Sequence, residues 1–265
     1  MGFKTILFEV IEPSIGLITL NRPARLNALS LELLDELHRL YDQLQNSPEI
    51  RMVILTGSGR GFCSGADLKD ERSGDRSDRR VLNATGHLFQ IQKKFSSIIL
   101  RLRAIPQPVI SAVNGPAAGG GMCLALASDV VLASPKAAFT PSFINIGLSG
   151  GELGSTFLLQ KAVGNIRAAE ILLTGRTVNA YEAEKIGMVN RVVEEERLLE
   201  AALGIARLMK DKSPTALRLT KEALNQNLTA PSLEAAINLE DRNQSISVFT
   251  DEFLKAVKDF SDRKK

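Results

Sequence analysis

The chain has 265 residues, 44% hydrophobic and 24% charged, with 33 Lys and Arg against 30 Asp and Glu for a net charge of +3. This balance excludes a disordered chain, and a domain of this length buries enough core to fold without a metal or disulfide staple. The small positive excess suits an anionic small molecule; nucleic acid is not expected, because no concentrated basic face is present and Trp is absent, with only Tyr41 and Tyr181.

The N-terminus opens on an acidic, apolar, strand-like run from Phe3 to Val10, without the basic and apolar segments of a secretory leader. Val-, Ile- and Leu-rich runs at Ile15–Leu20, Met52–Thr56, Val109–Val113, Val130–Ala133 and Met188–Val193 predict buried strands, each closed by Gly, Asn, Ser or Pro. Between the first two, Leu33, Leu34, Leu37, Leu40, Tyr41 and Leu44 form one stripe behind Ser30 as N-cap, predicting a helix over Ser30–Asn46 and a parallel crossover. The alternation continues after Val113 and around Tyr181–Ile186, where Asn179 caps a helix and Gly187 stops it, so the core reads as α/β. From Glu194 strand-like runs disappear and three helical patterns follow, one opened by Ser213-Pro214 and another by Pro231-Ser232. The expected organisation is a core over 1–193 and a helical region over 194–265 that either covers the core or packs on another subunit. Asp129 splits the longest apolar run, so no membrane span is expected. The charged stretch Asp70–Arg80 reads as a solvated loop.

Several familiar motifs fail on inspection. Gly147-Leu148-Ser149-Gly150-Gly151 matches the nucleophile-elbow pattern, but that chemistry needs a later histidine, and both histidines, His38 and His87, come earlier. His38 reads as a surface residue on the polar flank of its helix, and His87 as a lone histidine without a visible partner. Gly57-Ser58-Gly59-Arg60-Gly61 follows a strand but lacks the third glycine and the helix of a dinucleotide fingerprint. Cys63 and Cys123 have neither metal-ligand nor disulfide spacing, which points to a reducing, cytoplasmic compartment. No metal motif is present, and no metal is expected.

Two glycine-rich segments after strands carry more information: Phe62-Cys63-Ser64-Gly65-Ala66-Asp67-Leu68 and Asn114 to Gly121, which ends in a glycine triplet and runs into an apolar helix. Each glycine at a helix start costs roughly 1 kcal/mol relative to alanine, so either close packing or close approach of a ligand to backbone N–H groups should compensate. Two such segments at strand ends can aim a pair of N–H donors at one carbonyl oxygen, forming an oxyanion hole.

These residues resemble the crotonase, or enoyl-CoA hydratase/isomerase, superfamily. The resemblance runs through Leu20-Asn21-Arg22-Pro23, Asn27-Ala28-Leu29, Gly61 to Leu68, Ala112-Val113-Asn114-Gly115 and the glycine triplet. It continues through Ala138-Phe139, Gly147-Leu148 and Leu173-Thr174-Gly175-Arg176, with Ala183 and Gly187. It implies a spiral of ββα units with a C-terminal helical oligomerisation region, a homotrimer or a hexamer of paired trimers, and an acyl-CoA thioester substrate. Coenzyme A would be part of the substrate, with no separate cofactor. Carried over, the oxyanion hole falls on the N–H groups of Ala66 and Gly120, beside Gly119. Ser64 and Leu68 would meet the adenine and pantetheine of CoA, Arg25 and Lys69 its phosphates, and Phe260 with Lys264 or Lys265 the CoA of a neighbouring subunit.

The chain departs from this resemblance at the acid/base positions. Where hydratases of the family carry two glutamates, this chain has Cys123 and Phe143, and a phenylalanine cannot transfer protons. A double-bond shift needs only one carboxylate, and Glu152 in Gly151-Glu152-Leu153-Gly154-Ser155 is the candidate; its alternative is an acid at the start of the helix through Leu158, favoured there by the helix dipole. Asp67 and Asp129 read as a turn acid and a strand-flanking acid. The expected activity is enoyl-CoA isomerisation, the alternatives being hydration with an atypical acid/base pair that recruits Cys123 or a water, and an acyl-CoA binder without catalysis.

Overall fold

The computed structural model describes residues 2–70 and 85–262; the charged stretch after Asp70, the side chain of His87 and Lys264 with Lys265 lie outside the described residues. Strands β1 (Ile6–Glu12) and β2 (Ile15–Leu20) form an antiparallel pair. Helix α1 (Leu31–Gln45) then crosses to β3 (Met52–Gly57), which pairs in parallel with β2 from Ile15 opposite Met52 to Leu20 opposite Gly57. Ser30 Oγ accepts the Leu33 N–H and caps α1, as its position in the sequence suggests. Next come α2 (Thr85–Ala104), β4 (Val109–Val113), β5 (Pro116–Ala118), α3 (Gly120–Leu126), β6 (Val130–Ala133) and β7 (Ala138–Thr140). After these come α4 (Ser155–Val163), α5 (Asn165–Thr174), β8 (Val178–Asn179), α6 (Ala180–Lys185) and β9 (Arg191–Val192).

The main sheet has the order β1-β2-β3-β4-β6-β9, parallel apart from β1, and β5-β7-β8 form a second small sheet. Alternate residues of the parallel strands explain their unbroken hydrophobicity. Val53, Leu55, Val109 and Val113 face the cluster containing Leu33, Leu37, Leu40, Ile98 and Leu102 of α1 and α2. Met52, Ile54, Ile110 and Ala112 face Leu198, Ala202 and Ala206 of α7 (Leu198–Lys210).

Helices α8 (Pro214–Asn227), α9 (Leu233–Ser247) and α10 (Asp251–Asp262) come next, so among the described residues four α-helices, not three, follow the last strand. The break before α10 has neither Gly nor Pro; Thr250 Oγ1 accepts the Phe253 N–H, and Asp251 and Glu252 fill the first turn. While α7 covers the sheet, α10 leaves Phe253, Leu254, Val257 and Phe260 exposed. The expected strand Met188–Val193 shrinks to Arg191–Val192, because the Met188 and Val189 N–H groups turn back to Ala183 O and cap α6 beyond Gly187. Among the described residues no helix is long and apolar enough to cross a membrane.

Candidate active site

The two glycine-rich segments meet beyond the carboxyl ends of β3 and β4, where open parallel sheets place ligands. Phe62 and Cys63 donate to Pro116 O, and Ala118 donates back to Cys63 O, which zips the first segment onto β5. On its other edge Leu29 donates to Gly65 O at 2.7 Å and accepts from Asp67 N at 3.0 Å. These bonds are made by the residues flanking Ala66, so the Ala66 amide points off the opposite edge of the segment. On that edge Gly65, at φ +87°, abuts the second segment: a Cβ there would lie 2.8 Å from Ala118 O and 3.4 Å from Gly120 N.

Gly119, at φ +50° and ψ −118°, turns the chain into α3 and offers no capping side chain. Among the described residues neither Ala66 N–H nor Gly120 N–H donates to a backbone acceptor, and two adjacent unpaired amides are the elements of an oxyanion hole. The triplet divides its tasks. Gly119 supplies the positive φ, while at Gly121 a Cβ would collide with the Cys63 carbonyl oxygen and lie 2.8 Å from its carbonyl carbon. Close packing and unpaired amides therefore both occur here.

Side chains fix these loops from beneath. Asn27 accepts the Arg22 N–H and donates to Ser58 O and Gly61 O, while Asn114 accepts from Gly57 N and donates to Gly59 O. Arg22 pairs with the buried Asp67 at 2.7 Å. Burial pushes the Asp67 carboxyl up, but the Arg22 guanidinium and the Lys69 N–H outweigh it and hold it below the usual carboxylate range. Asp67 is thus a loop anchor, and Asp129 likewise accepts the Val109 N–H and pairs with the buried Lys221 at 3.0 Å.

Glu152 lies on the turn before α4, two residues ahead of the N-cap Gly154 and outside the first helical turn. Leu153 adopts φ +51°, and a Cβ at Gly120 would lie 3.1 Å from its Cδ1, which puts the turn against the amide pair. The buried Ser155 hydroxyl donates to Gly150 O and accepts from Glu152 N, and Ser155 N donates to Glu152 O. On the carboxylate, Oε1 accepts from Gln92 Nε2 of α2 at 2.9 Å.

Cys123 and Phe143 join this site in apolar roles. Cys123 is buried and its thiol directs S–H at Glu152 O, 3.7 Å away; burial, then the nearby Glu152 and Cys63, push its pKa far above the free-thiol value. Burial likewise raises the Cys63 thiol to about 12. Phe143 is buried with its ring against Gly119, Cε1 standing 3.3 Å from where a Cβ would be. Arg25, Leu68 and Lys69 are exposed, and the Ser64 hydroxyl donates to Arg25 O at 3.3 Å. Phe260 is far along the chain on the exposed face of α10.

Other sequence candidates fall outside this constellation. Ser149 Oγ accepts the Gly151 N–H within its turn. His38 is not a surface residue but half-buried between α1 and α2, its Nδ1 accepting from Arg101 and its Nε2 3.0 Å from Ser97 Oγ. With Arg101 on Nδ1, the proton sits on Nε2, so this pair lacks the basic nitrogen that would activate a serine. Among the described residues no group of three or more metal-ligating side chains occurs.

Sequence reading missed Gln92, Leu153 and Ser155. Gln92 pairs with a residue 60 positions away and carries no local signal. For Ser155 the available signal was a serine following glycine at a helix start.

Residues 10–265 match the enoyl-CoA hydratase/isomerase family. The probable enoyl-CoA hydratase echA12 of Mycobacterium bovis is 44% identical over 95% of this chain and 88% of its own length. The 1,2-epoxyphenylacetyl-CoA isomerase of Escherichia coli is 35% identical over 89% of this chain and 88% of its own. A crystal structure of a probable enoyl-CoA hydratase/isomerase from Mycobacterium abscessus superposes with a TM-score of 0.88 at 38% identity, covering 98% of this chain and 97% of that one. Sequence and architecture agree over nearly the whole chain, which belongs to the crotonase, or enoyl-CoA hydratase/isomerase, family.

Proposed function

We propose that this enzyme shifts the double bond of an enoyl-CoA thioester, using Glu152 as its single proton carrier. The observation that carries the reading is the turn that sets Glu152 beside Gly120 through Leu153, with buried Phe143 and Cys123 at the two positions where the resemblance puts hydratase glutamates. In a 3-enoyl thioester Glu152 takes the C2 proton, and the C–H electron pair conjugates into a dienolate. The charge that develops on the thioester oxygen is met by the Ala66 and Gly120 amides. Glu152 returns the proton at C4, the double bond settles between C2 and C3, and the thioester carbonyl re-forms, leaving the carboxylate as it began.

Hydration asks for a second group to hold and activate water. The Phe143 ring cannot do so, and the high thiol pKa keeps Cys123 protonated, which removes support for the cysteine-assisted alternative. Coenzyme A enters as part of the substrate, its phosphates met by Arg25 and Lys69 and its adenine and pantetheine by Ser64 and Leu68. A trimer, or a pair of trimers, is the proposed assembly, favoured by the exposed apolar face of α10, with Phe260 and Lys264 reaching a neighbour's CoA.

The test incubates 2-enoyl- and 3-enoyl-CoA with the enzyme in deuterated water and reads the products by mass spectrometry. Double-bond shift with deuterium at C2 or C4 is expected, lost in Glu152→Gln by roughly a hundredfold or more in kcat while CoA-ester binding persists. A hydrated product, or full turnover by Glu152→Gln, overturns the proposal; binding without exchange makes the protein a silent acyl-CoA binder.

A further inference from the structure

We propose that Gln92 is the positioning residue of Glu152, an inference that rests on the proton-carrier reading above. The main chain of Glu152 is fully held: its N–H reaches Ser155 Oγ, and its carbonyl oxygen accepts from Ser155 N and the Cys123 thiol. The side chain is a different matter. Its described hydrogen bond is from Gln92 Nε2 to Oε1 at 2.9 Å, and nothing else on its own turn fixes where the second oxygen points.

Helix α2 is a firm mount for that contact. Phe95, Ile98, Ile99 and Leu102 bury its inner face, and Gln92 stands one turn before Phe95, where its own carbonyl accepts from Ser96 Oγ. The cations next to it on the helix are engaged elsewhere: Lys93 lies 5.2 Å from the centroid of the Phe89 ring, and Lys94 pairs with Asp35. The group that reaches Glu152 is therefore a neutral amide.

That neutrality matters for a base that must both accept and return a proton. A lysine in this place would stabilise the ionised carboxylate and weaken it as a base, whereas an amide orients one oxygen and leaves the other to carry the proton. Gln92 thus selects the oxygen that faces the substrate.

The test compares Gln92→Leu, Gln92→Lys and Glu152→Gln as full-length enzymes in the isomerase assay, with thermal melting to verify folding. Gln92 is exposed, so melting temperatures should match the wild type. Gln92→Leu should lower kcat roughly tenfold with KM within about twofold, and move the acid limb of the kcat profile to higher pH. Gln92→Lys should also lower kcat but move that limb to lower pH, an opposition that a merely structural role does not produce. Wild-type kcat and acid limb in both Gln92 variants, or a loss confined to KM, overturns the positioning role while an inactive Glu152→Gln keeps the proton carrier. An active Glu152→Gln overturns both.

Discussion

Gly121→Ala is the sharpest probe of how the amide pair is built. The new Cβ would sit on the Cys63 carbonyl oxygen and 2.8 Å from both its carbonyl carbon and its Cβ, where ordinary contact begins at 3.4 Å. Relief requires α3 and the Cys63 segment to part by about 0.6 Å to clear the two carbon atoms, and by more to clear the oxygen. No flexible side chain is available to yield, because the obstructing atoms are backbone and a buried cysteine stem. Such overpacking costs about 1–3 kcal/mol in stability. The displaced backbone is the one that sets Ala66 beside Gly120, so the functional loss should exceed the loss of stability. A misplacement approaching 1 Å in a catalytic constellation lowers turnover on the order of a hundredfold. The assay pairs urea unfolding with kcat at saturating 3-enoyl-CoA, at a temperature where the variant remains folded. A variant that unfolds like the wild type and turns over at the wild-type rate would refute the argument that Gly121 is needed for close approach.

Arg22→Ala should destabilise the protein by about 2–3 kcal/mol, since it strips a nearly buried carboxylate of its partner while Arg22 itself keeps some contact with water; chemical denaturation reads the loss. Because the Asp67 pKa is depressed in the fold, its contribution is present above the ordinary carboxylate range and lost as pH falls through the folded value, so Arg22→Ala should flatten the acid limb of the stability profile. His38 is also depressed, by burial first; the hydrogen bond to Lys94 O, next in size, opposes this, and the Arg101 and Lys94 charges add to the depression. Its contribution is present above the ordinary imidazole value and declines as pH falls, so His38→Gln should lose less stability than the wild type between about pH 7.5 and about pH 5.5 in urea titrations.

The main sheet was legible because β2, β3, β4 and β6 are apolar on both faces and closed by a turn residue, and the caps at Ser30, Asn179, Ser213 and Ser232 all hold by side-chain bonds. The end of β9 was less so, since Met188 and Val189 are buried as a helix cap, and burial alone looks the same in a run of letters whether it comes from a strand or a cap. Within the site, the glycine triplet announced a special backbone without saying which glycine did what. That division depends on Cys63, which is distant in sequence and arrives through the pairing with β5. The position of Glu152 depends on Leu153, and a leucine at positive φ is not something its side chain advertises.

The two halves of the site are held by different means. The amide pair is built into the sheet by backbone pairing to Leu29 and β5 and by the side chains of Arg22, Asn27 and Asn114 beneath it. Glu152 instead hangs on a turn that holds a non-glycine residue, Leu153, in the left-handed region, a conformation that costs roughly 1–2 kcal/mol, and on a hydrogen bond at the surface of α2. This asymmetry fits a one-carboxylate shift. The developing charge always appears on the same thioester oxygen, so its donors gain from rigidity. The proton leaves one carbon and arrives at another two bonds away, so the base must reach both without leaving the pocket. Cys123 and Phe143, buried at the positions where the resemblance puts hydratase acids, give the proposed base an apolar setting, and the tether from the Cys123 thiol to Glu152 O holds the turn where a second carboxylate would repel the first.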